Sequence, residues 1–197
     1  CNTEKNIKKI YADNSYKVSK NINPYLYDSP NIIVEKENEQ ISKLPKMVFG
    51  NMPLDNGNLI LSSDDFDKLI NENIKYKKFV RPLIGAEEYI NGKTRYCLWI
   101  KDHGISEASE SKFISKRIEQ VKKFRSNSKD AGTRRLSKRP HQFRDLNEAE
   151  KNSLIIPRHT SERREYLIVG FLNKQTIIAD SSQAIYDPPI FILGLLS

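Results

Sequence analysis

The chain has 197 residues, 38% hydrophobic and 29% charged, which suits one ordinary domain or two small ones and excludes wholesale disorder. No apolar run approaches the ~18 residues of a membrane span. Two cysteines, Cys1 and Cys97, make neither a disulfide framework nor a zinc cluster, and the formal net charge is +8 at pH 7. No basic-then-apolar leader opens the chain, so a cytoplasmic protein is expected. A first residue of Cys rather than Met fits a piece of a longer polypeptide.

Residues 1–23 are polar and weakly patterned, apart from a strand-like stretch around Ile7 to Tyr11. Asn23-Pro24-Tyr25-Leu26-Tyr27 reads as an extended entry, because proline disfavours helix at the residue before it. The β-branched run Asn31 to Glu35 predicts a strand. The turn-rich segment Gly50 to Gly57 feeds a short strand at Asn58 to Ser62. Ser62 or Ser63 then caps a helix, with Asp64 and Asp65 at its start and Phe66, Leu69 and Ile70 on one face. Glu87 and Glu88, read as strand neighbours, point to opposite faces and make a poor acid/base pair. Arg95 to Ile100 is another strand, with Trp99 and a Cys97 expected to be buried.

The clearest helical period runs from Glu107 to Ser126, with Ile114, Ile118, Val121 and Phe124 on one stripe and Lys112, Lys116 and Lys123 away from it. Asn127 to Phe143 contains Gly132 and Pro140 and few apolar residues, so loops or short helical turns are expected. Four short apolar runs follow: Ser153–Pro157, Tyr166–Leu172, Thr176–Ala179 and Ile190–Leu196, the last read as a final strand after the Pro188-Pro189 turn. Short strands with helices grouped between them predict an α+β fold. Its core is a curved, mainly antiparallel or mixed sheet, from which a basic helical segment protrudes.

The charge is concentrated. Lys112 to Arg144 holds twelve basic residues against Glu119 and Asp130, a balance of +10, which leaves −2 for the rest of the chain. Such density points to a polyanion, with a solvated lysine-rich face and an anionic membrane surface as the alternatives. His103, His141 and His159 have no metal-ligand spacing to Cys, His or carboxylate, and none of the eight glycines forms a Gly-x-Gly pattern. Asp187-Pro188-Pro189-Ile190 is similar to the Asp/Asn-Pro-Pro-aromatic tetrapeptide of amino-methyltransferases, but Ile190 replaces the aromatic ring that would stack on a flipped base. Arg158 to Arg164 concentrates three arginines with Thr160 and Ser161, groups suited to phosphate oxygens and guanine edges.

Several blocks in matching order carry a resemblance. They are Asn23-Pro24-Tyr25-Leu26, Met47 to Pro53 with Asp55 to Leu61, Arg81 to Gly92, Arg95 to Trp99, and Ile156-Pro157-Arg158 with Ser161 to Arg164 and Gly170-Phe171-Leu172. Together these resemble the target recognition domain of MmeI-like DNA methyltransferases, the single-chain restriction–modification enzymes.

The resemblance implies a DNA-reading module over residues 23–197, with its basic helical segment at 105–147 and residues 1–22 a lead-in from the upstream methyltransferase part. It further implies that a methyltransferase domain of the same polypeptide binds S-adenosylmethionine and methylates adenine N6. This chain is then expected to hold no cofactor or catalytic residue, to be monomeric, and to lack a C-terminal part of the recognition surface. The partner implied is double-stranded DNA. An RNA-binding module is the alternative, disfavoured because Lys112–Arg144 has three phenylalanines and no tyrosine or tryptophan to stack bases.

Lysine is a flexible point charge, whereas arginine's planar fork can pair two acceptors on guanine. On that basis Lys112, Lys116, Lys122, Lys123, Arg125, Lys129 and Lys138 are assigned to phosphates. Asn51, Arg134, Arg135, Arg163 and Arg164 are assigned to base edges, with the Ser161 hydroxyl beside them.

Overall fold

The structure, a computed structural model, describes residues 7–12, 15–33, 35–36 and 42–196. The chain forms two compact units, residues 1–42 and 43–197. In the first, β1 (Lys8–Ala12) and β2 (Ser15–Ser19) pair antiparallel, with Lys9 opposite Val18 and Tyr11 opposite Tyr16. The Asn23 side-chain oxygen accepts from the Tyr25 and Tyr27 amides, both at 3.0 Å, and organises the turn after the hairpin. The strand expected at Asn31–Glu35 does not form at Asn31–Ile33 or at Glu35, and Val34 lies outside the described residues.

The second unit contains two four-stranded sheets. One runs β3 (Val48–Phe49), β10 (Ser182–Tyr186), β7 (Asn152–Pro157) and β8 (Gly170–Asn173), all antiparallel. The other runs β4 (Ile60–Leu61), β6 (Arg95–Leu98), β5 (Val80–Ile84) and β9 (Ile177–Ile178), antiparallel except for the parallel pair β5–β9. The α+β class is therefore confirmed. One stretch of chain, β9 to β10, serves both sheets. Gly50 sits where they meet. A Cβ there would lie 2.1 Å from the Ala179 carbonyl oxygen, so no other residue fits.

Helix α1 (Ser63–Glu72) starts at Ser62, whose hydroxyl accepts from the Asp65 amide while the Asp65 carboxylate accepts from the Ser62 amide. Glu87 and Glu88 lie in helix α2 (Ala86–Asn91) and not in a strand; Glu88 accepts from the Gly85 amide at 2.9 Å. A one-turn helix α3 (Ile105–Ala108) precedes α4 (Lys112–Ser126), so the expected 107–126 helix is broken before Lys112. Next come α5 (Ala131–Arg135) and a 3₁₀ turn at Leu136–Lys138. The final apolar run is helix α6 (Phe191–Leu196), not a strand.

The larger core packs Leu59, Leu61, Leu69 and Leu98 against Ile114, Val121 and Phe143. Trp99 meets Phe143 edge-on at 5.3 Å, and its indole N–H donates to Glu148. Cys97 is buried there, and burial pushes its thiol far above the ordinary range, so it is inert packing. Strand β7 is covered on both faces, with Ile155 in one cluster and Leu154 and Ile156 in another.

Arg125 lies at the centre of this unit and is wholly buried. Its Nε donates to the Leu54 carbonyl at 2.9 Å. Nη1 donates to Leu136 at 3.1 Å and Arg139 at 2.9 Å, and Nη2 to Pro53 at 2.9 Å and Gln142 at 2.7 Å. Every donor of the guanidinium is satisfied by backbone. Burial, with the neighbouring Arg139 charge, pushes Arg125 down to about 10 against the opposing pull of Asp55, so it remains charged at neutral pH.

Two outcomes are expected. Arg125→Met should destabilise the chain by roughly 3 kcal/mol or more, because buried carbonyls left unpaired cost about 1–3 kcal/mol each. Arg125→Lys should recover only part of that loss, and urea unfolding of the 197-residue chain measures both. Asp187 supplies a pH signature. Partial burial raises its carboxyl, but hydrogen bonds from the Glu150, Lys151 and Asn152 amides outweigh this and hold it below 3.8. Its stabilisation is therefore complete above the ordinary carboxylate range and is lost as pH falls through the depressed value. Asp187 has φ of 50°, which asparagine tolerates, so Asp187→Asn changes the charge without straining the backbone. The stability gap between the two proteins should be open at pH 7 and close in acid.

Candidate nucleic-acid interface

The basic segment is mounted on α4. Ser111 caps this helix by accepting from the Ile114 amide at 3.2 Å, and its hydroxyl donates to Glu72 at 2.8 Å. The buried stripe is Ile114, Val121 and Arg125, flanked by the half-buried Ile118, whereas Phe124 is exposed. The period was legible but its last member was not: Arg125, not Phe124, faces the core. Arg117, half-buried, pairs with Asp65 at 2.7 Å and donates to the Asn58 and Ile60 carbonyls, tying α4 to β4 and α1. Arg139 is similarly occupied by the Phe143 and Arg144 carbonyls, at 2.9 and 2.7 Å.

Two sequence assignments are corrected here. Arg125 cannot meet a phosphate, because its guanidinium is buried and all its donors are taken. Asn51 is not at a base edge. It is wholly buried; its amide nitrogen donates to the Asn147 and Ile178 carbonyls and the Tyr186 hydroxyl, and its oxygen accepts from the Asn147 amide at 2.7 Å. Asn51 therefore joins the end of the basic segment to the point where the sheets meet. Burial of the Tyr186 phenol, eased by the Asn51 bond, pushes it up to about 12.

The remaining assigned side chains are exposed: Lys112, Lys116, Lys122, Lys123, Lys129, Arg134, Arg135 and Lys138. Lys123 shares its charge with Glu119 at 3.0 Å, and Arg134 donates to the Ser128 and Lys129 carbonyls. Asp130 caps α5 through the Thr133 amide, at 2.5 Å, which holds Arg134 and Arg135 on a short rigid helix. α5 and the following turn pack on α4.

Ser161, Arg163 and Arg164 belong to a second surface, the exposed connection between β7 and β8. The Ser161 hydroxyl accepts from the Arg163 amide at 3.3 Å and its carbonyl from the Arg164 amide at 3.0 Å, so the serine shapes the turn that presents both arginines. Arg158, at the root of this loop, stacks over the Phe49 ring at 4.8 Å.

A cleft of about 500 Å³ opens beside Trp99, lined by Lys101, Asp102, His141, Gln142 and Glu148. Asp102 accepts there from His141 at 2.8 Å and Gln142 at 3.0 Å. These contacts were invisible in sequence, since Asp102 and His141 stand far apart in the chain and each looks solitary. No cluster of three metal-ligating side chains occurs among the described residues. No described helix is long and apolar enough to cross a membrane.

This arrangement has counterparts. The family model for the MmeI target recognition domain matches residues 28–197. DNA methyltransferase A of Bacillus subtilis (strain 168) is 36% identical over 189 residues, 96% of this chain and 22% of that protein. The solved structure of the type IIL restriction–modification enzyme MmeI in complex with DNA superposes with a TM-score of 0.79 at 33% identity, covering 93% of this chain and 24% of that one. The chain thus spans about a quarter or less of the relatives it matches. The family match begins inside the first compact unit. With the family model covering most of its length and a relative above a third identity along nearly all of it, the chain belongs to the MmeI target recognition domain family.

Proposed function

We propose that this chain is the module that recognises a specific double-stranded DNA sequence within an adenine-N6 methyltransferase or restriction–modification enzyme. One observation carries the reading: the +10 segment is folded onto capped helices held by the buried Arg125, and most of its cationic side chains are exposed. Lys112, Lys116, Lys122, Lys129 and Lys138 then engage phosphates, where a flexible point charge suffices. Arg134 and Arg135 on α5, with Arg163 and Arg164 on the β7–β8 connection, are exposed, and we assign them to base edges, where a planar fork can pair two acceptors.

Methyl transfer and S-adenosylmethionine binding are assigned to a methyltransferase domain of the same polypeptide outside this chain. The Asp187 carboxylate supports this, since three backbone amides occupy most of its acceptor sites and give it a structural role. The absence of any Gly-x-Gly loop supports it too. We take the module to act as a monomer.

The test is titration against two duplexes, one carrying the site found methylated in the source genome and one lacking it, at several salt concentrations. Replacing Lys116, Lys122 and Lys129 together by alanine should weaken both duplexes alike and flatten the slope of log affinity against log salt by about 2–3. Arg163→Ala or Arg164→Ala should instead cost ~1–3 kcal/mol on the cognate duplex and relax discrimination at one position. Unchanged affinity and slope in the triple variant would return the segment to a solvated face.

A further inference from the structure

The hairpin β1–β2 has two unlike faces. Alternation places Lys8, Ile10, Lys17 and Ser19 on one of them. That face is engaged by the hairpin's own following turn: Ser19 donates to Asp28 at 2.6 Å, Lys17 pairs with Asp28 at 3.2 Å, and Lys8 donates to Asn21 at 3.5 Å. The other face carries Lys9, Tyr11, Tyr16 and Val18, and the same alternation adds Ile7. No described residue of its unit covers it: Ile7 is 75% exposed, Tyr11 71%, Val18 57% and Tyr16 54%. The two tyrosine rings lie 5.7 Å apart, and Lys9 sits over the Tyr16 ring at 4.1 Å. The bare face is thus the apolar one, on a two-stranded ribbon that is marginal in water by itself.

The occupant can be narrowed. The family model begins only at residue 28 and omits the hairpin. DNA methyltransferase A matches 96% of this chain, which leaves too few unmatched residues to omit it. The hairpin is therefore shared with a methyltransferase polypeptide yet lies outside the recognition domain proper. Most of that relative, 22% of which is matched, lies beyond the region of likeness.

We infer that the Tyr11–Tyr16–Val18 face is an intramolecular docking surface that packs on an apolar surface of the methyltransferase domain of the same polypeptide. The inference rests on the function proposed above for that polypeptide. Nucleic acid fits this face less well. Lys8 and Lys17 point the other way, and Lys9 is drawn over a ring, so little charge is offered to phosphates.

Hydroxyl-radical footprinting read by mass spectrometry tests this on the full-length gene product and on the 197-residue chain. Tyr11 and Tyr16 should oxidise several-fold more slowly in the full-length protein without DNA, and Ile74, exposed in the other unit, gives a reference rate. Tyr11→Lys with Val18→Lys should lower the unfolding temperature of the full-length protein and leave that of the 197-residue chain unchanged. Equal oxidation rates in the two proteins would overturn the inference. So would protection that appears only when duplex DNA is added, or protection in the 197-residue chain that grows with its concentration, which marks a second copy. Failure of the isolated chain to bind duplex DNA would sink the recognition reading and leave the footprint difference standing, so the two ideas fail separately.

Discussion

The buried Arg125 guanidinium is the contact on which the second unit's architecture depends. A cation in a protein interior is costly unless every donor is met, and here five backbone carbonyls meet it. Those carbonyls come from the Pro53–Leu54 turn, the 3₁₀ turn after α5, and Gln142, none of which is otherwise paired into a sheet. Irregular backbone of this kind needs donors for its carbonyls supplied from outside itself. One side chain on a regular helix supplies them, and so the basic segment, which has few apolar residues to fold around, acquires a defined shape.

The same device recurs at smaller scale. Asn51 fastens the residue 147 backbone to the β9–β10 segment, and Asp187 gathers the three amides at the start of β7. Asp55 accepts from the Gly57 and Leu59 amides and closes the turn leading to β4. Each of these side chains spends its polarity mainly on backbone. What faces solvent is a separate set of lysines and arginines, so shape and charge are carried by different residues even where they adjoin, as Phe124 and Arg125 do.

That separation explains what was readable beforehand. The Ser62 cap, the α4 apolar period and the helical character after Asn127 rest on local signals and were legible in the sequence. So was the order of the family blocks, from Asn23-Pro24 to Gly170-Phe171-Leu172. Arg125 and Asn51 were misassigned because an arginine or asparagine looks the same in sequence whether its partner is a base or a carbonyl 11 to 127 positions away. Strand β10, Ser182–Tyr186, was missed because SQAIY lacks a β-branched run, although it is paired on both sides in its sheet. Ile190–Leu196 shows the opposite error: an apolar run of that length does not distinguish strand from helix, and the chain turns into a helix at Phe191.

The shared segment β9–β10 also sets the order in which the unit can assemble. Its partners β3, β5 and β7 all precede it in the chain, and the β5–β9 pair alone joins residues 83 and 177. Neither sheet can close until these last strands arrive, so the folding barrier is set by long loop closures and not by local helix formation. During synthesis, α1 and α4 can form while the apolar faces of β5 and β7 still wait for their neighbours, leaving a nascent chain whose exposed strand edges are vulnerable until β10 has left the ribosome.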